Sequence, residues 1–206
     1  MRAARRRGAG SLAARPPADA SDDRREGIVE AAIRLLEAHG PKGFGQVRVA
    51  REAGIAQGHL TYYFPRKSDL AAAVVERLGR EARRDLEPLL AGDLPADRAA
   101  HEELFFGVVK TLLRDVKRHR VMLGLVAEAV WDPELAAVLA RMLAMQRAVM
   151  AHLLGRDADD LDVHIALAAL RGLGIEALVH REGRAHVDEV VARFRVWLGA
   201  GGARPR

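Results

Sequence analysis

Not one cysteine occurs in this chain, which excludes disulfide scaffolds, thiol redox sensing and thiolate zinc sites together. Serine is almost as scarce. Ser11, Ser21 and Ser68 are the whole set, and none stands in a nucleophile elbow. The eight histidines (His39, His59, His101, His119, His152, His164, His180 and His186) are scattered without metal-ligand spacing, and no Gly-rich phosphate loop follows a strand pattern. The chain is therefore not expected to be an enzyme, nor to need a cofactor or a metal. No uncharged stretch reaches the length of a membrane span, and the Arg cluster in Met1–Arg15 is not followed by the apolar run of a secretory signal. The expectation is a cytoplasmic protein with no membrane partner.

Half of the 206 residues are apolar, enough to bury a substantial core. Their periodicity is helical throughout, and no strand pattern competes. Charge is unevenly spread. The first 70 residues hold thirteen Lys and Arg against eight Asp and Glu, and the rest hold twenty of each. A basic N-terminus on a neutral body fits a nucleic-acid partner. Within residues 1–20, five Arg face one Asp, and the aperiodic Arg, Ala, Gly and Pro of this stretch predict a disordered tail. Arg5, Arg6 and Arg7 make it either a phosphate-tracking arm or simply a solvated end.

A first helix is predicted from Ser21, capped by its hydroxyl and favoured by Asp22 and Asp23, with the stripe Ile28, Ala31, Ala32, Leu35 and Leu36 and a stop at Gly40-Pro41. Two short helices follow, at 46–53 and 57–63, hinged at Ala53-Gly54, where a left-handed turn residue is required. Val49, Ala53, Ile55, Leu60 and Tyr63 supply their inward face. Gln57, Gly58, His59, Thr61 and Tyr62 remain outward on the second, which is short and polar enough to enter a major groove. A long helix starts near Lys67, with Leu70, Val74, Leu78 and Leu86 inward, and ends around Pro88. Glu76 with Arg80, and Arg77 with Glu81, are spaced for surface pairs. Further helices are expected at about 97–117, 120–130, 133–154, 160–181 and 186–198, with breaks at His119-Arg120, Asp132-Pro133, Gly155-Arg156 and Gly183-Arg184.

The landmarks Val49-Ala50, Glu52-Ala53-Gly54-Ile55, Gly58, Leu60, Tyr63-Phe64, Lys67 and Leu70 closely resemble the N-terminal domain of TetR-family transcriptional regulators. Gly45, Ala56 and Thr61 depart from that pattern, where a capping Thr or Ser, a Ser and a Tyr are usual. The resemblance implies an all-α protein: a three-helix helix-turn-helix domain, then a larger six-helix domain for effector binding and dimerisation. We place the DNA-binding domain at 21–66 and the helical body at 67–200.

On this reading a homodimer binds a palindromic double-stranded operator and acts as a ligand-responsive repressor. Gln57, Gly58 and His59 are the candidates for base contact, and Thr61, Tyr62, Tyr63, Lys67 and Arg48 for phosphate contact. Lys42 is a further phosphate candidate. An effector pocket is expected around Phe105, Phe106, Met122, Leu125, Glu128, Trp131, Met142, Met145 and Arg171. Glu128 stands out, because a carboxylate in an apolar run must reach water, a ligand or a basic partner such as Arg171. With few aromatics to build a cage, the effector is expected to be largely apolar. Gly172 and Gly174 in the eighth helix, and Val190, Phe194 and Trp197 in the ninth, are candidates for the dimer interface. The competing reading is a helical DNA-binding regulator with no small-molecule effector, controlled by protein partners or acting on the nucleoid.

Overall fold

The computed structural model describes residues 18–180 and 184–201, and the side chains of all these except 18–20, 98, 180, 184–187 and 197–201. The tail at 1–17, with Arg5 to Arg7, and the side chains of Val187, Trp197 and Leu198 lie outside that description. The described residues form nine α-helices and one 3-10 turn: α1 (Ala18–His39), the turn (Gly40–Gly43), α2 (Gln46–Glu52), α3 (Gln57–Tyr63), α4 (Lys67–Leu90), α5 (Arg98–Leu113), α6 (Val116–Ala129), α7 (Pro133–Leu154), α8 (Leu161–His180) and α9 (Arg184–Gly201). None of the described residues is in a strand.

Aspartate caps open α5, α6 and α7. Asp97 accepts the Ala100 N–H at 2.8 Å, Asp115 accepts the Arg118 N–H at 2.8 Å, and Asp132 accepts from Glu134 and Leu135, with Pro133 opening α7. Asp115 corrects the expected break at His119-Arg120. The chain turns four residues earlier, and His119 lies inside α6. Two other boundaries also differ. α1 begins at Ala18, so Ser21 is already inside the helix and does not cap it. Pro88 sits within the last turn of α4, where the helix ends two residues later and little of the backbone ladder remains to be lost.

The apolar residues collect into two cores. The first joins Ile28, Ala31, Ala32 and Leu36 of α1 to Val49, Leu60 and Phe64 of α2–α3, Leu70, Val74 and Leu78 of α4, and Val121, Leu125, Leu135, Val138 and Leu139 of α6–α7. Each fully buried Leu or Phe there stabilises by about 1.5–3 kcal/mol. This core crosses residue 66: α1 and the 3-10 turn pack on α6, and α4 packs on α7. The contact is close: a side chain at Gly124 of α6 would stand 3.1 Å from Leu36 Cδ2. The second core gathers Leu86, Phe105, Phe106, Val109, Leu113, Met150, Leu153, Val163, Leu167, Leu170 and Val191.

α7 belongs to both cores, and it is long and apolar enough to cross a membrane by length and composition. That differs from the expectation that no segment qualifies. The helix nevertheless carries Glu134, Arg141 and Arg147, and buries Leu135, Val138, Leu139, Met150 and Leu153 within the protein.

Candidate nucleic-acid interface

The unit that presents α3 is built from short-range geometry. Gly45, at the N-cap of α2, offers no side chain, and Ala56, at the N-cap of α3, makes no side-chain cap bond. Gly54 holds φ at +67° between the helices, and the Ile55 N–H closes the turn onto the Ala50 carbonyl at 2.9 Å. Leu60 and Phe64 are fully buried, which fixes the rotation of α3 and leaves Gln57, Gly58, His59, Thr61 and Tyr62 exposed. Tyr62 is 69% exposed. A bond that the sequence pattern did not signal, Gln46 Nε2 donating to the Phe64 carbonyl at 3.2 Å, ties the start of α2 to the end of α3. The Arg25 guanidinium covers the Phe64 ring, 5.0 Å from its centroid.

The candidate phosphate contacts are not equivalent. Arg48 and Lys42 are exposed and carry no ion pair among the described residues. Thr61 Oγ1 donates to its own helix, to the Gln57 carbonyl at 3.0 Å. Tyr63 is half-buried and meets Tyr62 edge-on, with centroids 5.3 Å apart. Lys67 is ion-paired with Glu128 of α6 and lies 5.4 Å from the centroid of the Phe44 ring. Beside it, Arg66 donates to both oxygens of Asp69, which holds that carboxyl below its usual range.

The nine residues expected around an effector do not converge. Phe105 and Phe106 sit in the second core, while Met122, Leu125 and Met142 belong to the first. Trp131 is 87% exposed and Met145 57%. Glu128 takes Lys67 as its partner in place of Arg171, whose guanidinium reaches Gln146 Oε1 at 3.3 Å. Open grooves of about 420 Å³ along α4 (Arg80 to Ala91) and about 470 Å³ between α1 and α2 are lined by none of the nine. Among the described residues no cluster of three or more His, Asp or Glu could hold a metal.

The dimer candidates divide as well. Gly172 faces open space, but Gly174 is buried against His119 of α6. Phe194 packs inward against the second core, its ring 6.4 Å from that of Phe106, and Val190 is half-buried. The exposed apolar residues of α8 are instead Leu161, Ile165, Ile175 and Val179, with Ala168 and Gly172 on the same face.

A bihelical unit with a left-handed glycine hinge, a polar outward second helix and a long helical body defines a helix-turn-helix DNA-binding protein. Residues 28–74 match the family model for bacterial regulatory proteins, tetR family. Residues 28–74 thus carry the DNA-binding helix-turn-helix domain of TetR-family transcriptional regulators.

It is 36% identical over 62 residues to the HTH-type transcriptional regulator BetI of Agrobacterium fabrum (strain C58 / ATCC 33970). That match covers 30% of this chain and 30% of the relative, so it spans under a third of the relative's length. The fold extends much further. A TetR-family member from Streptomyces coelicolor A3 superimposes with a TM-score of 0.64 at 26% identity, covering 83% of this chain and 97% of that one. A putative TetR-family regulator from Rhodococcus sp. gives 0.70 at 20% identity, covering 85% and 98%. A putative regulator from Saccharomonospora viridis in complex with choline gives 0.65 at 21%, covering 84% and 95%.

Proposed function

We propose that this chain is a homodimeric repressor that binds a palindromic operator in the cytoplasm and releases it in response to a small molecule. The observation that carries this reading is the exposed row Gln57, Gly58, His59 and Tyr62, held outward by the fully buried Leu60 and Phe64. In this reading Gln57 pairs with adenine, His59 meets a purine edge, and Gly58 lets the backbone approach the bases. Tyr62, Tyr63, Arg48, Lys67 and the Thr61 hydroxyl serve as phosphate anchors. Residues 21–66 form the reading unit and 67–200 the regulatory body.

Two copies meet through α8. Its outward stripe is self-complementary about residue 170: an antiparallel partner sets Leu161 against Val179, Ile165 against Ile175 and Ala168 against Gly172.

Solved relatives of this fold bind choline, and in the multidrug binding protein EbrR, imidazole or proflavin. These support a small organic effector in the body, with Phe105, Phe106 and Met122 among the apolar residues available. The dispersal of the nine candidates between two cores and the surface favours the second reading, a regulator without such an effector.

Fluorescence-anisotropy titration of DNA flanking the protein's own gene, against a scrambled duplex, tests the operator. About a thousandfold preference with two protomers per site supports the proposal, and equal, salt-labile binding to both duplexes overturns it. A thermal-shift screen with choline and proflavin then separates the readings, since only an effector-binding body is stabilised by mass action.

A further inference from the structure

Three consecutive residues, Arg66, Lys67 and Ser68, join the end of the DNA-reading unit to the regulatory body, and all three are held by two glutamates more than sixty residues away in sequence. Glu128 at the end of α6 pairs with Lys67. Glu134 in the first turn of α7 accepts the Ser68 hydroxyl at 2.7 Å and lies 3.8 Å from Arg66. Ser68 is the buried polar side chain of the described residues. The Lys67 and Glu128 side chains are only 33% and 25% exposed, so water and salt screen this pair less than a surface one.

Lys67 follows α3, the helix that carries the exposed reading face, by four residues. A DNA phosphate arriving there would place a fourth negative charge beside three carboxylates that already occupy the cations, Glu128 on Lys67 and both Glu134 and the nearer Asp69 on Arg66. Either the cations exchange partners or the phosphate is repelled.

We propose that Glu128 and Glu134 form a carboxylate clasp that competes with DNA phosphates for Lys67 and Arg66, so that the grip of the α6–α7 corner on α4 sets the protein's DNA affinity. The proposal rests on Lys67 as a phosphate contact. It makes the corner a control point in both directions: whatever draws it away from α4 strengthens DNA binding, and DNA binding loosens the corner by the same free energy. Trp131, 87% exposed between the two glutamates, gives the corner an intrinsic reporter.

The test is the binding of the full chain to a random-sequence DNA duplex of about three helical turns, with salt varied, because phosphate contacts carry non-specific binding. Glu128→Gln keeps the side chain's shape and removes the competing charge. It is expected to bind about three- to tenfold more tightly, with a log-affinity against log-salt slope steeper by about 0.9 per protomer. The gain should vanish in a Lys67→Gln background. Glu134→Gln, which retains an acceptor for Ser68, should shift affinity in the same direction and serves as the deciding variant if Glu128→Gln does not fold. Unchanged or weaker binding, with an unchanged slope, would overturn the clasp while leaving DNA binding intact, since a glutamate that merely positions Lys67 must weaken binding when neutralised. If wild type and every variant fail to bind any duplex, the phosphate-contact reading falls and the clasp with it.

Discussion

The imidazole of His119 occupies the space a side chain at position 174 would need: a Cβ on Gly174 would stand 2.1 Å from His119 Cδ2. The ring cannot easily retreat, because its Nδ1 lies 2.9 Å from the Asp115 carbonyl one turn back. Gly174→Ala is therefore expected to destabilise by about 1–3 kcal/mol, despite alanine's better helix propensity. Melting temperature should fall by roughly 3–10 °C. His119→Ala in the same chain should recover most of the loss, and a double-mutant cycle without coupling would show that the two residues do not compete for space.

Arg118 invites a comparison between breaking the charge cluster around a largely buried guanidinium and replacing it. Its side chain is 12% exposed, its Nη2 meets Asp85 at 2.7 Å and Asp115 at 2.9 Å, and its Nε and Nη1 are enclosed without a hydrogen-bond partner. Asp115→Ala removes the α6 cap as well as one counter-charge, an expected loss of about 2–4 kcal/mol. Arg118→Met fills the same space without a charge to desolvate, and should cost under about 1 kcal/mol or even stabilise. Thermal denaturation of the two variants decides it; equal damage would mean that the ion pair itself stabilises the fold.

How far the sequence went depends on how local each signal was. The helix-turn-helix was legible because Val49, Gly54, Leu60 and Phe64 act within a few turns of one another, and hinge conformation and inward face follow from spacing alone. The Asp115 cap is equally local, and the polar residues His119-Arg120 mimic a break although they lie inside α6. The Gly172 and Gly174 pair was also decidable, since positions two apart on a helix point about 200° away from each other and cannot share a face. Partnership across the fold was not decidable. Glu128 is 61 residues from Lys67, and an apolar run shows that Phe105 or Leu125 is buried without showing in which core.

Acid should weaken the fold through carboxylates whose ionised form is held by arginine. For Glu26, burial pushes the pKa up, but the hydrogen bond and charge of Arg77, with Arg80 beyond, outweigh it and hold the group below 4.5. For Asp69, hydrogen bonding from Arg66 leads in holding it below 3.8. A depressed folded-state pKa contributes stability that is fully present above the unfolded value and is lost as pH falls through the folded one. Melting temperature should thus be level down to about pH 5 and decline below it. Glu26→Gln should melt lower than wild type at neutral pH, with the difference closing in acid. A difference that persists in acid would assign the loss to packing.

The α8 seam predicts where a charge is most damaging to assembly. Ala168 and Gly172 stand at the centre of the proposed pairing and face open space in the single chain. Ala168→Glu should leave the fold of each chain intact and bring two carboxylates together across the two-fold axis. Sedimentation velocity is expected to show a dimer for wild type and a monomer for the variant, with unchanged helical circular dichroism. Ala192→Glu, on the exposed face of α9, should remain dimeric; dissociation by the α9 variant alone would move the interface to that helix.

Base reading and phosphate anchoring separate in the response to substitution. Gln57 and His59 are exposed, and neither makes a side-chain contact that the fold depends on, so their removal should cost little stability. Gln57→Ala should lose about 1–3 kcal/mol of discrimination at one operator position while non-specific affinity is kept. Tyr62→Phe and Arg48→Ala should instead weaken binding to all sequences alike, and Arg48→Ala should also reduce the salt slope by about one. Anisotropy titrations against an operator and its single-base variants check both halves. Undiminished discrimination by Gln57→Ala would transfer base reading to His59 or to the backbone at Gly58, where Gly58→Ala, which meets open space in the free protein, tests whether the DNA needs that close approach.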